Sequence, residues 1–456
     1  ATATLDKYKA AATVVSSVLQ KLIEKAAEGA NVLELCQEGD KLVEEGVKGL
    51  YNKVKGTPKG TSIPHPRSCA PPGIAFPTTV SVNNTIQNFS PVPSDKEAAE
   101  LALKKDDLVK IVVGAHIDGY PVVSGETYVA VSPSQVSCDI VVGASSPITG
   151  ARADLIQAAY QAGEIALRAV KPGVRNWEVT DAIKALLKDY EASGVKGVEG
   201  ILSHQVSERC AKSMACQPSA LTRSRWRCAT SPATCAHEHA FRLQFTQNNL
   251  EAKKGLVSTP TASQRSDSDN AYVFEEGEVY GLNIHVTNGD KTVRPFLSSF
   301  PVSQLTSSPF QPKTADLART TIFSKTPTTY MLKMKTSRAT FSEISQKAGS
   351  FPFTLRIMED ETRARMACRC GRALTACFCL KLVPFNSTTD KPTDLSAQIF
   401  LTFAVTKTGA TRISLPPSFY SADKVQSEVA VSDAVKQTLA KPLKAKAQKK
   451  KAAKAE

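Results

Sequence analysis

Apolar side chains recur along the N-terminal segment at the spacing of one face of an α-helix. Between residues 5 and 27 they are Val15, Val18, Leu19, Leu22, Ile23 and Ala26, with intervals dominated by three or four residues. This pattern predicts one helix here and a second over Val32–Tyr51, which contains glycines at 39, 46 and 49. We therefore expect an N-terminal helical segment over residues 1–58, followed by a basic connector.

Two apolar runs around a polar turn follow in "KIVVGAHIDGYPVVSGETYVAV". Lys110–Ala115 is rich in β-branched residues, His116 and Asp118 mark the bend, and Tyr120–Val131 forms the second run. The pattern predicts an antiparallel hairpin. Adjacent strands of this kind hold paired carboxylates in some two-metal hydrolases, but the inward candidates here are valines. The hairpin is thus either the wall of a metal site or only packing.

Helical and strand patterns alternate through the rest of the chain. A helix is predicted over Arg152–Val170, stopped by Pro172-Gly173, and another from Asn176, which can cap it, to about Tyr190. Strands are predicted in "IAFPTTVSVNN", "FEEGEVYGLNIHVTNGDK", "TTIFSK", "YMLKMKTS", "FPFTLR" and "AQIFLTFAVTKTGATRIS", with a helix in "ATFSEISQKA". These patterns favour one large mixed domain of helices and strands, over residues 73–435.

Three stretches lack sustained periodicity: 205–270, 293–313 and 367–381. Long structureless insertions usually lie outside a compact domain. The sequence leaves open whether they are true insertions or mis-translated segments.

Composition narrows the class of protein. The chain has 456 residues, of which 42% are hydrophobic and 22% charged, as in ordinary globular proteins. No apolar run is long enough to span a membrane, and the first residues lack a signal-peptide pattern, so we expect no membrane insertion. Eleven cysteines are an odd number, and in an apparently intracellular chain disulfides are disfavoured.

The net charge of +14 is concentrated at one end. The last residues carry seven lysines without an intervening acid: Lys441, Lys444, Lys446, Lys449, Lys450, Lys451 and Lys454. Residues 436–456 are therefore expected to be a disordered lysine-rich tail. Such a tail is either a solvated end or an arm that binds polyanions, and we favour the arm.

Lysines in "LKMKTSR" are a second candidate for nucleic-acid binding. Lys333 and Lys335 lie on one face of the strand predicted here, and Arg338 follows at its exit. Together with the tail and the pI near 9.2, they favour contact with phosphate backbones over a merely solvated surface.

The clustered cysteines do not match a standard zinc motif. Cys210, Cys216, Cys228 and Cys235 are followed by His237 and His239, and a second cluster lies in "CRCGRALTACFC". Ligands one residue apart on a strand point to opposite faces, so we expect neither metal nor cofactor.

Several segments together resemble, in chain order, the ErbB-receptor-binding, proliferation-associated protein family. They are "AFPTTVSVNNTIQNFSP", "KIVVGAHIDG", "VEGILSHQ", "FEEGEVY", "TTIFSK", "LKMKTSRA", "SFPFTLR" and "AQIFLTF". The resemblance implies an α+β fold of the methionine aminopeptidase type, the pita-bread fold, in a family without peptidase activity. It covers roughly residues 7–204 and 271–435.

The resemblance also places the ligand positions of active aminopeptidases on this chain. The two aspartate positions correspond to Val112 and Val123, and the two glutamate positions to Asn283 and Phe400. The histidine ligand matches His204, and the substrate-facing histidine is replaced by Asn88. Four of the five ligands are thus absent, and the hairpin is interpreted as packing, with His204 as a hydrogen-bonded pocket residue.

The expected function is therefore a non-catalytic factor that binds RNA and the ribosome. The resemblance implies the large ribosomal subunit and rRNA as partners, roles in ribosome biogenesis and growth-linked control of translation, other proteins bound through the old substrate cleft, and a location in cytoplasm, nucleus and nucleolus. We expect a monomer. The alternatives are a metal-dependent methionine aminopeptidase and a nuclear nucleic-acid-binding co-regulator of transcription.

Overall fold

The structure is a computed structural model of the chain. It describes residues 2–48, 50, 73–130, 147–199, 202–205, 254–266, 271–289, 320–325, 335–349, 351–358, 382–385, 388–389, 391–417, 419–421 and 423–443.

Helices and strands alternate along the described residues. The helices are α1 (Thr2–Lys25), α2 (Val32–Lys48), α3 (Lys96–Ala99), α4 (Ala151–Ala169), α5 (Asn176–Asp189), α6 (Ala262–Ser266), α7 (Lys335–Lys347) and α8 (Asp433–Ala440). Short 3₁₀ turns occupy Glu191–Ser193 and Leu355–Met358.

The strands are β1 (Gly73–Val82), β2 (Thr85–Gln87), β3 (Leu108–Ile117), β4 (Tyr120–Val129), β5 (Lys196–Gly197), β6 (Leu202–Gln205), β7 (Gly255–Val257), β8 (Val279–Thr287), β9 (Ile322–Lys325), β10 (Phe353–Thr354), β11 (Leu382–Phe385), β12 (Thr388–Thr389), β13 (Ser396–Thr406) and β14 (Gly409–Arg412).

A nine-stranded antiparallel sheet forms the body. Its main path is β1-β3-β4-β13-β8-β6-β7, with β14 paired to β13 and β5 paired to β8. The chain therefore places its last long strand, β13, between the hairpin β3–β4 and the middle strand β8. Two small sheets, β10-β9-β11 and β12-β2, complete the described strands.

The predicted hairpin is confirmed as β3–β4. Ile117 pairs with Tyr120, so the loop contains only Asp118 and Gly119, both with positive φ (51° and 85°). An Asp-Gly pair in this region is typical of the tight two-residue turn whose twist matches that of the strands. This turn fixes the register of the whole hairpin.

Helices cover one face of the large sheet, which we call its outer face. Helices α1 and α2 pack on Ile111 and Val113 of β3. Helix α4 packs on Ile399 and Leu401 of β13: a Cβ at Gly163 of α4 would lie only 3.2 Å from Leu401 Cδ2. Side chains alternate along a strand, so Val112 and Phe400 point to the opposite, inner face.

One buried arginine makes several of the contacts between the small sheet β10-β9-β11 and the body. Arg356, just after β10, donates to Ser90 Oγ at 2.6 Å, to Pro91 O at 3.1 Å and to Asp40 Oδ2 of α2 at 2.6 Å. Its side chain is only 6% exposed. A buried guanidinium with acceptors from separate segments thus joins the small sheet to α2 and to the segment after β2.

Three local expectations differ from the structure. Asn176 does not cap α5; it is its first residue, and its buried side chain accepts the Tyr272 N–H at 3.1 Å. Strand β7 and helix α6 lie within 205–270, where no regular structure is predicted, because pairing of β7 with β6 supplies order that periodicity does not show. Helix α8 runs to Ala440, past the boundary at residue 436 expected for the tail.

Among the described helices, none is both long and apolar enough to cross a membrane.

Candidate functional site

Three of the positions matched to metal ligands lie on one line across the sheet. Val112 of β3 pairs with Gly125 of β4, Gly125 pairs with Phe400 of β13, and Phe400 pairs with Asn283 of β8. Directly paired residues point to the same face. Val112, Phe400 and Asn283 therefore share the inner face, with Gly125 between them; we call this line the vestigial row.

The other two matched positions lie beside the row. Val123 is two residues from Gly125 on β4, and His204 of β6 pairs with Gly281, two residues from Asn283 on β8. The side chain of His204 lies outside the described part of the structure, so the pocket role expected for it stays a prediction. The topology thus brings all five positions to adjacent strands, although they span almost 300 residues of sequence.

Gly125 has no side chain, and its neighbours in the vestigial row leave no room for one. A Cβ at residue 125 would lie 2.7 Å from Val112 Cγ2 and 3.1 Å from both Phe400 Cβ and Ile111 O. Val112 is buried and Phe400 is half-buried. The space between these two positions is therefore filled by hydrocarbon and backbone, which offer no lone pairs to a cation.

Asn283 is the polar member of the row and is neutral. Its Oδ1 accepts a hydrogen bond of 2.8 Å from Gln398 Nε2, and both side chains are buried. This amide pair satisfies two buried polar groups without charge. Where an active aminopeptidase has a carboxylate, the oxygen here is occupied by an internal donor.

Asn88 is not on one of the strands that carry the row. It follows β2 directly, is half-buried, and has a φ of 60°. Strand β2 pairs with β12, not with the strands that carry the row. The position of the old substrate-facing residue is thus taken by an amide on left-handed backbone, a conformation that asparagine tolerates better than most residues.

A buried lysine bridges the sheet next to the row, and the sequence did not single it out. Lys110 Nζ donates to Asn83 O at 2.8 Å, to Ser396 O at 2.9 Å and to Ser396 Oγ at 3.0 Å. These bonds join β3 to the β1–β2 turn and to the start of β13. Burial disfavours the ammonium form and lowers the pKa of Lys110 to about 7.

His285 is a second buried base on the inner face. It pairs with Gln398 of β13, and neither of its ring nitrogens has a hydrogen-bond partner among the described residues. Burial, and then the positive charge of Lys110, lower the pKa of His285 to about 3. Strand alternation places Lys110, Asn283 and His285 on one face. The same alternation is readable in "KIVV" and "NIHV", but from sequence alone both segments are predicted only as apolar strands.

The predicted basic strand is a helix where the structure describes it. Lys335 is the first residue of α7, and Arg338, one turn later, is exposed. The strand assignment of "YMLKMKTS" is therefore wrong from Lys335 onward, because the amphipathic pattern of the following residues begins earlier than expected. Lys333 and the side chain of Lys335 lie outside the described residues.

The remaining basic and cysteine candidates are only partly described. Lys441 is exposed, one residue after α8, and the other tail lysines from Lys444 to Lys454 fall outside the described chain. The same holds for both cysteine clusters; Cys36, the cysteine that the structure describes, is buried and free. No group of three potential metal ligands occurs among the described residues.

The sequence of the chain is similar to a known family and to several known proteins. The model of metallopeptidase family M24 matches residues 6–215. A "Curved DNA-binding protein" of Schizosaccharomyces pombe is 34% identical over 453 residues, covering 99% of this chain and 93% of that protein. An "ERBB-3 binding protein 1" of Solanum tuberosum is 32% identical over 410 residues, covering 90% of this chain and 80% of the relative.

Among solved structures, a thermophilic Arx1 is similar over nearly the full length. Its TM-score is 0.69 at 24% sequence identity, covering 98% of this chain and 100% of that one. This likeness shows that the two chains share a fold.

Proposed function

The chain belongs to the ErbB-receptor-binding, proliferation-associated protein family and has its pita-bread fold, and we propose that it is a non-catalytic factor that binds RNA and the large ribosomal subunit. The observation that carries the non-catalytic part is the vestigial row. Its positions match, through the family resemblance, those of metal ligands, whereas its side chains at Val112, Phe400 and Asn283 are two hydrocarbons and one amide.

The residues of the row do not fit a pair of hard cations. Hard divalent ions bind through several oxygen ligands, mainly carboxylates. Here Val112 and Phe400 both flank Gly125, with Val112 Cγ2 2.7 Å and Phe400 Cβ 3.1 Å from where a Cβ at residue 125 would lie, and Asn283 Oδ1 accepts from Gln398. A two-metal hydrolase needs bridging and terminal ligands together. No catalytic step is therefore assigned to this face.

Charge and kinship support the nucleic-acid part of the proposal. The formal charge is +14, and half of it lies in the seven lysines from Lys441 to Lys454. Lysine-rich segments release counterions from phosphate backbones on binding. A relative at 34% identity bears the name "Curved DNA-binding protein", which favours nucleic acid over another polyanion.

The finer parts of the proposal are the partners and the location. We expect contacts with rRNA and, through the old substrate cleft, with other proteins. We also expect a monomer in solution that resides in the cytoplasm and in the nucleus and nucleolus. The role in ribosome biogenesis and translation rests on the family resemblance together with the basic surface.

Two alternatives each have one observation in their favour. The match to metallopeptidase family M24, and relatives named "Probable metalloprotease arx1", favour an aminopeptidase. The name of the fission-yeast relative favours a nuclear, DNA-binding co-regulator of transcription.

Two assays separate these functions. Purified protein, with and without added cobalt or manganese, should release no methionine from Met-Ala peptides, and Val112→Asp should not restore release. Turnover abolished by a chelator would establish the peptidase. In cell extract, the protein should sediment with large ribosomal subunits, and the sedimentation should weaken steeply between roughly 50 and 200 mM salt. Sedimentation with chromatin instead of ribosomes would establish the co-regulator.

A further inference from the structure

The C-terminal segment is held against the end of α4. Arg168, in the last turn of α4, donates from Nε to Lys441 O at 2.8 Å. The same guanidinium is bound to Glu164, which also pairs with Arg412 of β14 at 2.8 Å. These contacts hold the chain at Lys441, three residues before the lysine-rich sequence resumes at Lys444.

The β13–β14 turn meets the same point. Thr406 pairs with Gly409, so Lys407 and Thr408 form a two-residue loop. A Cβ at Gly409 would lie 3.6 Å from Leu443 O, 3.8 Å from Val170 O and 4.0 Å from Lys171 Cγ. Three chain segments therefore converge here: the end of α4, the β13–β14 turn and the end of the described chain.

Each of these segments contributes an exposed lysine. Lys171, Lys407 and Lys441 are exposed; we call them the root surface. Among the described residues, neither Lys171 nor Lys441 forms an ion pair. Lys407 lies 4.0 Å from Glu276, a pair in which both side chains are more than half exposed, and such a pair contributes little. The cationic charge of the root surface is thus available to a ligand.

Stabilisation of the C-terminal end of α4 does not by itself explain the three lysines of the root surface. A cation near the C-terminus of a helix stabilises its dipole, but Arg168 already occupies that position. Lys407 and Lys441 come from other segments, and six further lysines follow Leu443 in the sequence without an acid among them.

We propose that the root surface is a docking site for the phosphate backbone of a nucleic acid, continuous with the lysine-rich sequence that starts beside it. The site consists of flexible point charges, which suit phosphate contacts that carry no base sequence. Its exposed residues are lysines, without the apolar anchors typical of protein interfaces. This proposal deepens the RNA-binding part of the proposed function and rests on it.

The test compares two triple variants of the full chain. The first carries Lys171→Gln, Lys407→Gln and Lys441→Gln. The control carries Lys21→Gln, Lys41→Gln and Lys105→Gln, three exposed lysines on or near α1, α2 and β3. Binding of a short, mixed-sequence, single-stranded RNA is measured by fluorescence anisotropy over a range of salt concentrations. The root variant should lower the slope of log affinity against log salt by about 2, from roughly 0.7 per lost contact. The control should leave the slope unchanged.

Equal slopes for the root variant and the control would overturn the proposal. So would competition by poly-glutamate as effective as that of RNA at equal charge, since this would indicate an acidic protein partner. Deletion of residues 444–456 should lower the slope further without removing the difference between the variants. Ribosome sedimentation is measured in parallel: if it persists while the root variant binds RNA normally, the docking site is wrong and the proposed function stands.

Discussion

Replacing Gly125 with alanine should show directly that the vestigial row is packed hydrocarbon. The new Cβ would lie 2.7 Å from Val112 Cγ2, closer than real Cβ atoms approach. It would also lie 3.1 Å from Phe400 Cβ. Overpacking of this kind costs about 1 to 3 kcal/mol of the free energy of unfolding. Gly125 has no positive φ, so the cost reports sterics and not backbone strain.

A second change should relieve that cost. Val112→Ala removes the Cγ2 atom that the new methyl group would strike. Alone, it should destabilise the protein by about 1 to 3 kcal/mol, because buried methyl groups are lost. The double variant should be destabilised by less than the sum of the two single-variant effects. The difference, the coupling energy, should be about 1 kcal/mol or more.

Urea unfolding of the two single variants and the double variant measures this coupling. Gly114→Ala provides the matched control. Its Cβ would also meet an atom at 2.7 Å, but on Phe76, with Val123 next at 3.1 Å. Val112→Ala should therefore leave the cost of Gly114→Ala unchanged. If Gly125→Ala and Val112→Ala were additive within about 0.3 kcal/mol, Val112 would not occupy the space claimed for it.

Three further predictions concern the buried polar groups. The pKa of Lys110 is lowered from 10.5 to about 7, so between these values the unfolded chain binds a proton that the folded chain does not. Unfolding free energy should therefore fall by about 2 to 3 kcal/mol from pH 9.5 to 7.5, a dependence absent in Lys110→Met when both are followed by urea unfolding. His285, with its pKa lowered to about 3, should add a loss as pH falls below 6.5, and His285→Leu should remove it. Arg356→Ala should destabilise the fold by about 3 to 5 kcal/mol, because Asp40 keeps a largely buried charge; thermal unfolding should show partial recovery on adding Asp40→Asn.

Regular elements with a clear period were predictable from sequence. The hairpin, α1, α2, α4 and β13–β14 lie where periodicity placed them, because each buries one face or both faces against a neighbour. The start of α7 and the strand β7 were not predictable. Lys335 begins a helix inside a run that reads as alternating, and β7 is only three residues long. Pairing with β6, a long-range contact, decides the structure of β7.

The residues of the candidate site were likewise only partly predictable from the sequence. The matched positions at Val112, Val123, Asn283 and Phe400 followed from segment order, and the strand register confirms that they share one face. Lys110 and His285 were missed, because a lysine or histidine in a strand is ordinarily exposed and only the full sheet shows both to be enclosed. The root surface joins residues more than 200 positions apart, and local pattern carries no information about such convergence.

The buried inner face raises a question of how a sheet built around metals keeps its stability without carboxylates. Carboxylates clustered without cations would repel one another and lose hydration. Val112 and Phe400 carry no charge and flank Gly125, and Asn283 Oδ1 accepts a hydrogen bond from Gln398 Nε2. Lys110 contributes the cross-strand link between β3 and β13. One amine and one amide pair thus supply neutral or singly charged cross-strand hydrogen bonds beside the row. Reintroducing a single aspartate at residue 112 would place a charge against Phe400, so it should weaken the fold before it could bind any metal.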